Sequence, residues 1–172
     1  IIPVIETNKL PCPGTCDGQV AVYMNPSTNF LVSWPVGVTL TGDTANNLCA
    51  GTDYLVTITD TLSLCDTVYT INIPENPAFG GGITEDQGIL CNGDASGQLT
   101  ANPTGGSPPY SYLWNNGGIT PTISGLIAGT YTVTITDTNG CDTIMTQVLL
   151  QPDPVVASLT GAGTILCNGD NT

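Results

Sequence analysis

Hydrophobic and polar residues alternate strictly from residue 131 to residue 136, in a stretch that ends on the turn dipeptide Asn139-Gly140. One face of the stretch carries Tyr131, Val133 and Ile135, and the other carries threonines. An alternation with a period of two is typical of a β-strand with one buried and one solvated face. Asn-Gly favours a hairpin turn because both residues tolerate positive φ. A similar stretch at residues 51–60 is followed by Cys65, so we predict a strand–turn unit that is present twice.

Further segments recur in the same order with a period of about 76 residues. The hairpin cysteines are separated by 141 − 65 = 76 positions, and residues 165–170 copy residues 89–94 letter for letter. This period is too long for the coil of a solenoid and suits a small β-sandwich. The expected divisions are a first repeat at 1–75, a second at 76–152 and the first strand of a truncated third at 153–172. The array is expected to continue beyond residue 172.

The composition supports an all-β chain with many turns. Glycine and proline supply 21 and 13 of the 172 residues, while hydrophobic residues make up 40%. Prolines within 74–77 and 151–154 interrupt the strands and mark linkers. No apolar run is long enough to cross a bilayer. The first residues lack the basic and apolar regions of a signal peptide, so we expect an internal part of a longer protein.

The charge of the chain excludes several functions. Lys9 is the only basic residue, there is no arginine or histidine, and the formal net charge is −13. Nucleic-acid binding and polybasic membrane adhesion both need cations that are missing here. The usual catalytic bases and oxyanion clamps are missing as well. We therefore expect a protein that is not an enzyme, needs no cofactor, binds no nucleic acid and does not insert into a membrane.

The seven cysteines are expected to form disulfides within repeats. The second repeat offers one pair, and the equivalent pair in the first repeat leaves two further cysteines. The predicted bonds are Cys91–Cys141, Cys16–Cys65 and Cys12–Cys49, with Cys167 unpaired because its partner would lie past residue 172. Disulfides indicate an oxidising, extracytoplasmic compartment. A repeat of this size buries only about 60% of its unfolded surface, so the bridges should clamp it.

Four segments of the second repeat form a combined signature: Cys-Asn-Gly-Asp at 91–94, Gly-Gly-Ser-Pro-Pro-Tyr-Ser-Tyr-Leu-Trp at 105–114, Leu-Ile-Ala-Gly-Thr-Tyr at 126–131 and Thr-Asp-Thr-Asn-Gly-Cys at 136–141. With these segments the repeat resembles the SprB repeat of large surface adhesins in gliding bacteria of the Bacteroidota type. The resemblance implies an Ig-like fold, export by the type IX secretion system and a role in surface filaments. The first repeat lacks the Gly-Gly-x-Pro-Pro-Tyr segment and has an extra cysteine pair, so it is a divergent copy.

Aromatic residues at matching positions of the two repeats are expected in the core. They are Trp34, Trp114, Tyr54 and Tyr131. The tryptophans fall where β-sandwich domains keep a core tryptophan. The alternative is a sugar-stacking platform built from Trp34, Trp114, Tyr110 and Tyr112. A platform needs these rings in solvent and a core needs them buried, so their exposure separates the two interpretations.

Two further sets of residues are candidates for metal binding and modification. Asp137, Asn139 and Asp142 offer oxygen ligands of the kind that calcium prefers, although a turn capped by Asp137 is the favoured interpretation. No Cys-x-x-Cys pair supports another metal. The Asp-Thr-aliphatic triplets resemble the O-glycosylation acceptor of the same bacterial group. The candidate acceptors are Thr44, Thr61, Thr67 and Thr143.

These patterns together predict a tandem array of disulfide-clamped, Ig-like β-sandwiches that forms the stalk or shaft of an extracellular adhesin or filament at a bacterial cell surface. The expected partners are neighbouring repeats of the same chain, with other surface filaments or surface polysaccharide as further candidates. The alternative function is a carbohydrate-binding module of a secreted hydrolase.

Overall fold

The computed structural model describes residues 3–24 and 29–156, and within them every regular element is a β-strand. The first repeat contains β1 (Val4–Lys9), β2 (Gly18–Tyr23), β3 (Phe30–Ser33), β4 (Thr39–Thr41), β5 (Thr44–Leu48), β6 (Asp53–Asp60) and β7 (Asp66–Asn72). The second contains β8 (Gly80–Gln87), β9 (Gly97–Thr104), β10 (Ser111–Trp114), β11 (Thr122–Leu126), β12 (Gly129–Thr136) and β13 (Asp142–Leu149). The described part of the chain has no helix that could cross a membrane.

Each repeat is a sandwich of two antiparallel sheets. In the first repeat the strand orders are β1-β2-β5-β4 and β3-β6-β7, which is the arrangement of a constant-type immunoglobulin domain. In the second repeat the orders are β8-β9-β11 and β10-β12-β13, so the counterpart of β4 is missing from that sheet. The expected all-β, tandem Ig-like fold is confirmed.

The alternating stretch that first indicated strands forms β12, the central strand of its sheet. It pairs with β10 on one side and β13 on the other. Tyr131, Val133 and Ile135 are buried, and the intervening threonines are half-buried. β6 holds the same place in the first repeat, between β3 and β7. Alternation within one strand is a local property of the sequence, and for this reason the pattern predicted both strands correctly.

Two separate hydrophobic cores lie inside the two sandwiches. One is built around Val20, Leu48, Val56 and Ile73, and the other around Leu99, Trp114, Val133 and Ile135. Trp114 is 1% exposed, and its indole N–H donates to the carbonyl of Thr120 at 2.9 Å. Trp34 is half-buried, because it lies just past the end of β3, and it meets Tyr54 edge to face.

The two core tyrosines anchor the strands that carry them. Tyr54 accepts a hydrogen bond from the backbone N–H of Cys49 at 2.8 Å, and Tyr131 donates to the carbonyl of Ile127 at 3.0 Å. Both rings are buried while their hydroxyls reach the backbone a few residues upstream. This back-bonding is the arrangement of the tyrosine corner in immunoglobulin-like sandwiches.

The disulfide pairing differs from every predicted bond. Cys12 bonds Cys141 and Cys16 bonds Cys49, while Cys65 and Cys91 are free and exposed. The predictions Cys91–Cys141, Cys16–Cys65 and Cys12–Cys49 are therefore wrong. They assumed closure within each repeat, whereas Cys12–Cys141 joins the first repeat to the second. Cys167 and the third repeat beyond residue 156 lie outside the described residues.

The wrong pairing began with a wrong alignment of the cysteines. The predicted bonds treat Cys16 as the counterpart of Cys91, which lies 75 positions later. The turn geometry matches Cys12 with Cys91 instead, because the glycine two residues after each has a left-handed φ, 74° at Gly14 and 81° at Gly93. In both turns the cysteine carbonyl accepts a hydrogen bond from the N–H three residues later. A turn that requires glycine is therefore a better guide to the alignment of the two repeats than the position of a cysteine alone.

Candidate functional site

The buried polar side chains of the described residues, Asn76 and Asp137, lie where the two repeats meet. We call this region the junction. It consists of the linker at residues 74–79, the Cys12 turn at 11–17, the loop at 105–110 and the hairpin turn at 137–141. The Cys12–Cys141 bond joins two of these segments, with a Cα–Cα distance of 5.5 Å. The other contacts of the junction surround that bond.

Asn76 is fully buried at the centre of the junction. Its side-chain amide donates to Asp137 Oδ2 at 2.7 Å, and its side-chain oxygen accepts from the hydroxyl of Ser107 at 2.7 Å and from the amide of Asn139 at 3.1 Å. Its backbone N–H donates to the carbonyl of Pro11 at 3.3 Å. One linker residue therefore bonds to both repeats, and burial makes each of these bonds costly to lose.

Asp137 is the charged partner of Asn76 and is 5% exposed. Its Oδ1 accepts from the N–H groups of Asn139 and Cys141, both at 2.9 Å, and its Oδ2 also accepts from the N–H of Ser107 at 2.9 Å. Burial raises the pKa of this carboxyl, but the hydrogen bonds from Asn76 and the backbone outweigh burial and leave the pKa below its usual value. A carboxyl whose pKa is lowered by folding stabilises the fold above its unfolded pKa, and the contribution is lost as the pH falls through the folded value.

Asp17 holds the Cys12 turn in shape. It accepts from the backbone N–H of Cys12 at 3.0 Å, from the Thr15 hydroxyl, and from the ammonium of Lys9 at 2.6 Å. Burial raises the pKa of Asp17, but the bonds from Lys9, Thr15 and Cys12 outweigh burial and lower the pKa to about 2. The only lysine of the chain therefore helps to orient the cysteine that joins the repeats.

The Gly-Gly-Ser-Pro-Pro-Tyr segment forms the surface of the second repeat that receives the linker. Gly105 has φ of +69°, and a side chain there would place its Cβ 1.8 Å from the carbonyl oxygen of Ala78. The N–H of Gly106 donates to the carbonyl of Pro77 at 3.1 Å. Tyr110 stacks on Phe79 with ring centres 5.5 Å apart. The motif that carried the family resemblance therefore makes this side of the junction.

Substituting Gly105 should destabilise the chain more than substituting another glycine in the same conformation. Gly117 has φ of +87°, and no atom lies within 4 Å of the place that a Cβ would take there, so G117A should cost only the left-handed strain, about 1–2 kcal/mol. G105A must also displace the backbone at Ala78, which should add about 1–3 kcal/mol. Urea unfolding of both variants measures the difference. Equal losses of unfolding free energy in the two variants would show that the loop at 105–110 does not pack against the linker.

At the candidate calcium site the oxygen atoms of Asp137 already accept hydrogen bonds from the protein itself. Asp137 accepts four of them and caps the N–H of Asn139, which is the turn favoured from the sequence. Asn139 donates to Asn76, and Asp142 is exposed at the start of β13. Among residues 3–24 and 29–156 no three metal-binding side chains come together. The structure brings Asp137 and Asn139 together, and their hydrogen bonds stabilise the hairpin turn and the junction.

The glycosylation candidates differ in accessibility. Thr61 and Thr67 are exposed on either side of Cys65, whereas Thr44 in β5 and Thr143 in β13 are half-buried. An acceptor hydroxyl must reach an enzyme, so Thr61 and Thr67 are the better placed. Glycosylation at these positions stays a prediction.

The aromatic side chains do not form one exposed platform. Trp114 lies in the core, Tyr110 stacks on the linker residue Phe79, and Tyr112 is half-buried. Trp34 belongs to the other repeat and packs against that repeat's core. Stacking on a sugar ring needs an exposed aromatic face, which Trp114 cannot offer.

Sequence reasoning missed Asn76 and the role of Cys12. In the sequence Asn76 is part of a proline-bounded linker, and nothing in its immediate sequence indicates burial. The signal for Cys12 was present, because Pro-Cys-Pro-Gly at 11–14 resembles Leu-Cys-Asn-Gly at 90–93. Aligning those turns would have matched the correct cysteines.

Comparison with one solved structure supports the fold. The three N-terminal domains of the bacteriophage RB49 Highly Immunogenic Outer Capsid protein align with a TM-score of 0.54 and 17% identity, over 86% of this chain and 58% of that one. The chain thus spans just over half of that structure, and at this identity the likeness concerns the fold. The ectodomain of mouse nectin-like molecule 4 aligns over 91% of this chain and 66% of that one, with 17% identity and a TM-score of 0.35. No curated protein matches the chain.

The family comparison falls on the second repeat. The family model described as SprB repeat matches residues 87–119. That range holds the Cys91 turn, β9, the Gly-Gly loop and β10. Residues 87–119 therefore match the SprB repeat, in agreement with the signature segments at 91–94 and 105–114.

Proposed function

We propose that this chain is a load-bearing section of the stalk or shaft of an extracellular bacterial adhesin or surface filament, without catalytic activity of its own. The SprB repeat and the paired Ig-like sandwiches support a cell-surface repeat protein. The two disulfides support an oxidising compartment. Export by the type IX system and a part in gliding belong to the same proposal, through the SprB resemblance.

The observation that carries the proposal is the covalent bond between the repeats. Cys12 lies near the beginning of the first repeat, and Cys141 lies in the last hairpin of the second, 129 residues later. Tension applied to the two ends would pass from Cys12 through the sulfur atoms to Cys141. The strands between them would carry little of it. A covalent path that bypasses two domains suits a mechanical element.

Two further features favour an extended, stiff arrangement. The linker is pinned by the buried bonds of Asn76, and prolines on both sides restrict its backbone. The net charge of −13 should keep separate arrays apart in solution. In this proposal the repeats supply reach and avidity, and the neighbouring repeats are the first partners. Other surface filaments or polysaccharide remain candidate partners of the whole protein.

Force spectroscopy tests the mechanical role directly. With the Cys12–Cys141 bond intact, pulling on the two ends should extend only the residues outside that pair. Reduction should release the 129-residue segment and add roughly 430–460 Å of contour length. The matched control is the double variant C16S/C49S, whose missing bond lies inside the protected segment, so its oxidised form should extend no further than the oxidised parent. An oxidised chain that extends as far as the reduced chain would contradict the proposal.

A further inference from the structure

Two exposed thiols remain in the described residues after the two disulfides are formed, at Cys65 and Cys91. We propose that each of them forms a further inter-repeat disulfide. Cys91 bonds the hairpin cysteine of a following repeat, and Cys65 bonds the turn cysteine of a preceding one. The array would then be a head-to-tail disulfide ladder. This inference extends the proposed function to the neighbouring junctions and takes from it only that further repeats exist.

Cys91 occupies the same local structure as the bonded Cys12. Both precede a two-residue turn with a left-handed glycine, Gly14 or Gly93. The carbonyl of Cys12 accepts from the N–H of Thr15 at 2.9 Å, and that of Cys91 accepts from the N–H of Asp94 at 3.1 Å. Cys91 therefore lies in the same type of turn as the one that presents Cys12 to the next repeat.

Cys65 likewise occupies the local structure of the bonded Cys141. In each hairpin an aspartate N–H donates to the cysteine carbonyl at 3.0 Å, from Asp60 to Cys65 and from Asp137 to Cys141. In each, the same aspartate also caps the N–H two residues later, at Leu62 or Asn139. The described residues therefore contain one bonded example of each cysteine type and one free example of each.

The free turn cysteine lies where the chain leaves the second repeat. The Asn92 side chain donates to the carbonyl of Pro152 at 3.0 Å, and the N–H of Gly93 donates to Gln151 at 2.9 Å. Apolar side chains beside this point are uncovered: Leu90 is 67% exposed and Val155 is 99% exposed. Val155 lies 76 positions after Phe79, which in the junction is stacked on Tyr110 of the next repeat.

The free hairpin cysteine lies beside an open hollow in the first repeat. The hollow, of about 200 Å³, is bordered among the described residues by Phe30, Asp60 and Cys65. Phe30 is the counterpart of Tyr110, because each lies two residues before an equivalent pair, Val32 with Ile58 in the first repeat and Tyr112 with Ile135 in the second. In the second repeat the linker residue Phe79 covers that ring. The hollow thus marks the place where the linker of a preceding repeat would pack.

The bond formation is an ordinary thiol oxidation. Each new S–S bond joins two cysteine sulfurs, which lose two protons and two electrons. An external disulfide accepts both and becomes two thiols. Oxidised glutathione serves in vitro, and an extracytoplasmic dithiol–disulfide oxidoreductase would serve at the cell. The thiolate that attacks is accessible at both positions, because both cysteines are exposed.

Oxidation of the whole chain tests the pairing, because one copy carries both free cysteine types. In the variant C167S, Cys65 and Cys91 are the only thiols left beside the two disulfides. In a glutathione redox buffer this variant should form a ladder of dimers, trimers and longer species on a non-reducing gel. Peptide mapping should find Cys65 joined to Cys91, at least about tenfold over Cys65–Cys65 and Cys91–Cys91, which corresponds to about 1.4 kcal/mol of preference.

The matched controls are C65S/C167S and C91S/C167S, each with a single thiol. Neither should form species above a dimer, and their dimers should form at least about tenfold more slowly than the mixed bond. Dimers of these controls that form as fast as the ladder would overturn the inference, as would a chain that stays monomeric or closes Cys65–Cys91 within itself. The force measurement depends on Cys12–Cys141 alone, so its outcome separates a failed ladder from a failed mechanical role.

Discussion

Removing the bond between the repeats with C12S/C141S should lower the free energy of unfolding by up to about 5 kcal/mol, which is the chain-entropy value for a loop of 129 residues. The two repeats should also stop unfolding as a single unit. The two sandwiches have separate cores, so they should unfold in separate transitions once the covalent joint is gone. Only the linker and the noncovalent contacts of the junction, with the buried bonds of Asn76 at their centre, then hold the repeats together.

The two tryptophans make this uncoupling measurable, because each repeat contains one. Trp34 reports on the first core and Trp114 on the second, so the variants W34F and W114F isolate each signal. The matched control is C16S/C49S, which removes a 33-residue loop worth about 4 kcal/mol from the first repeat alone. The C16S/C49S variant should leave the unfolding transition reported by Trp114 unchanged. Coincident transitions in C12S/C141S would show that the noncovalent contacts suffice for coupling.

Truncating the buried tryptophan should have the second large effect. Trp114 fills the second core and donates to the carbonyl of Thr120. W114A should therefore cost about 3–5 kcal/mol, as large-to-small changes of buried aromatic residues do. W34A should cost clearly less, because Trp34 is half-buried and lies past the end of its strand. Urea denaturation of each variant, in the oxidised state, measures both values.

The same pair of variants tests the competing function as a carbohydrate-binding module. A stacking platform would lose polysaccharide binding in W34A or W114A while the free energy of unfolding changed little. Binding can be followed by retention on insoluble polysaccharide or by titration calorimetry. Loss of binding with stability unchanged would favour the platform. Loss of stability at Trp114 without any change in binding is the result we expect.

The fold class, the tandem organisation and the two central strands, β6 and β12, could be predicted from the sequence. Alternation in β12 and β6 predicted which side chains are buried, because successive residues of a strand point to opposite faces whatever surrounds it. The turn expected at Asn139-Gly140 also appeared there, since a left-handed backbone at Gly140 depends on the residue itself. These features are local, so a single chain is enough to predict them.

Tertiary structure alone decided how the repeats are joined. Cysteine spacing allowed closure within a repeat, and only the meeting of the Cys12 turn with the last hairpin of the next repeat shows that the bond crosses the junction. Asn76 is an ordinary polar residue in the sequence and becomes fully buried because three segments distant in sequence converge on it. Disulfide partners and buried polar contacts depend on which surfaces face each other in space. That information is set by the packing of whole repeats, and no local pattern of residues contains it.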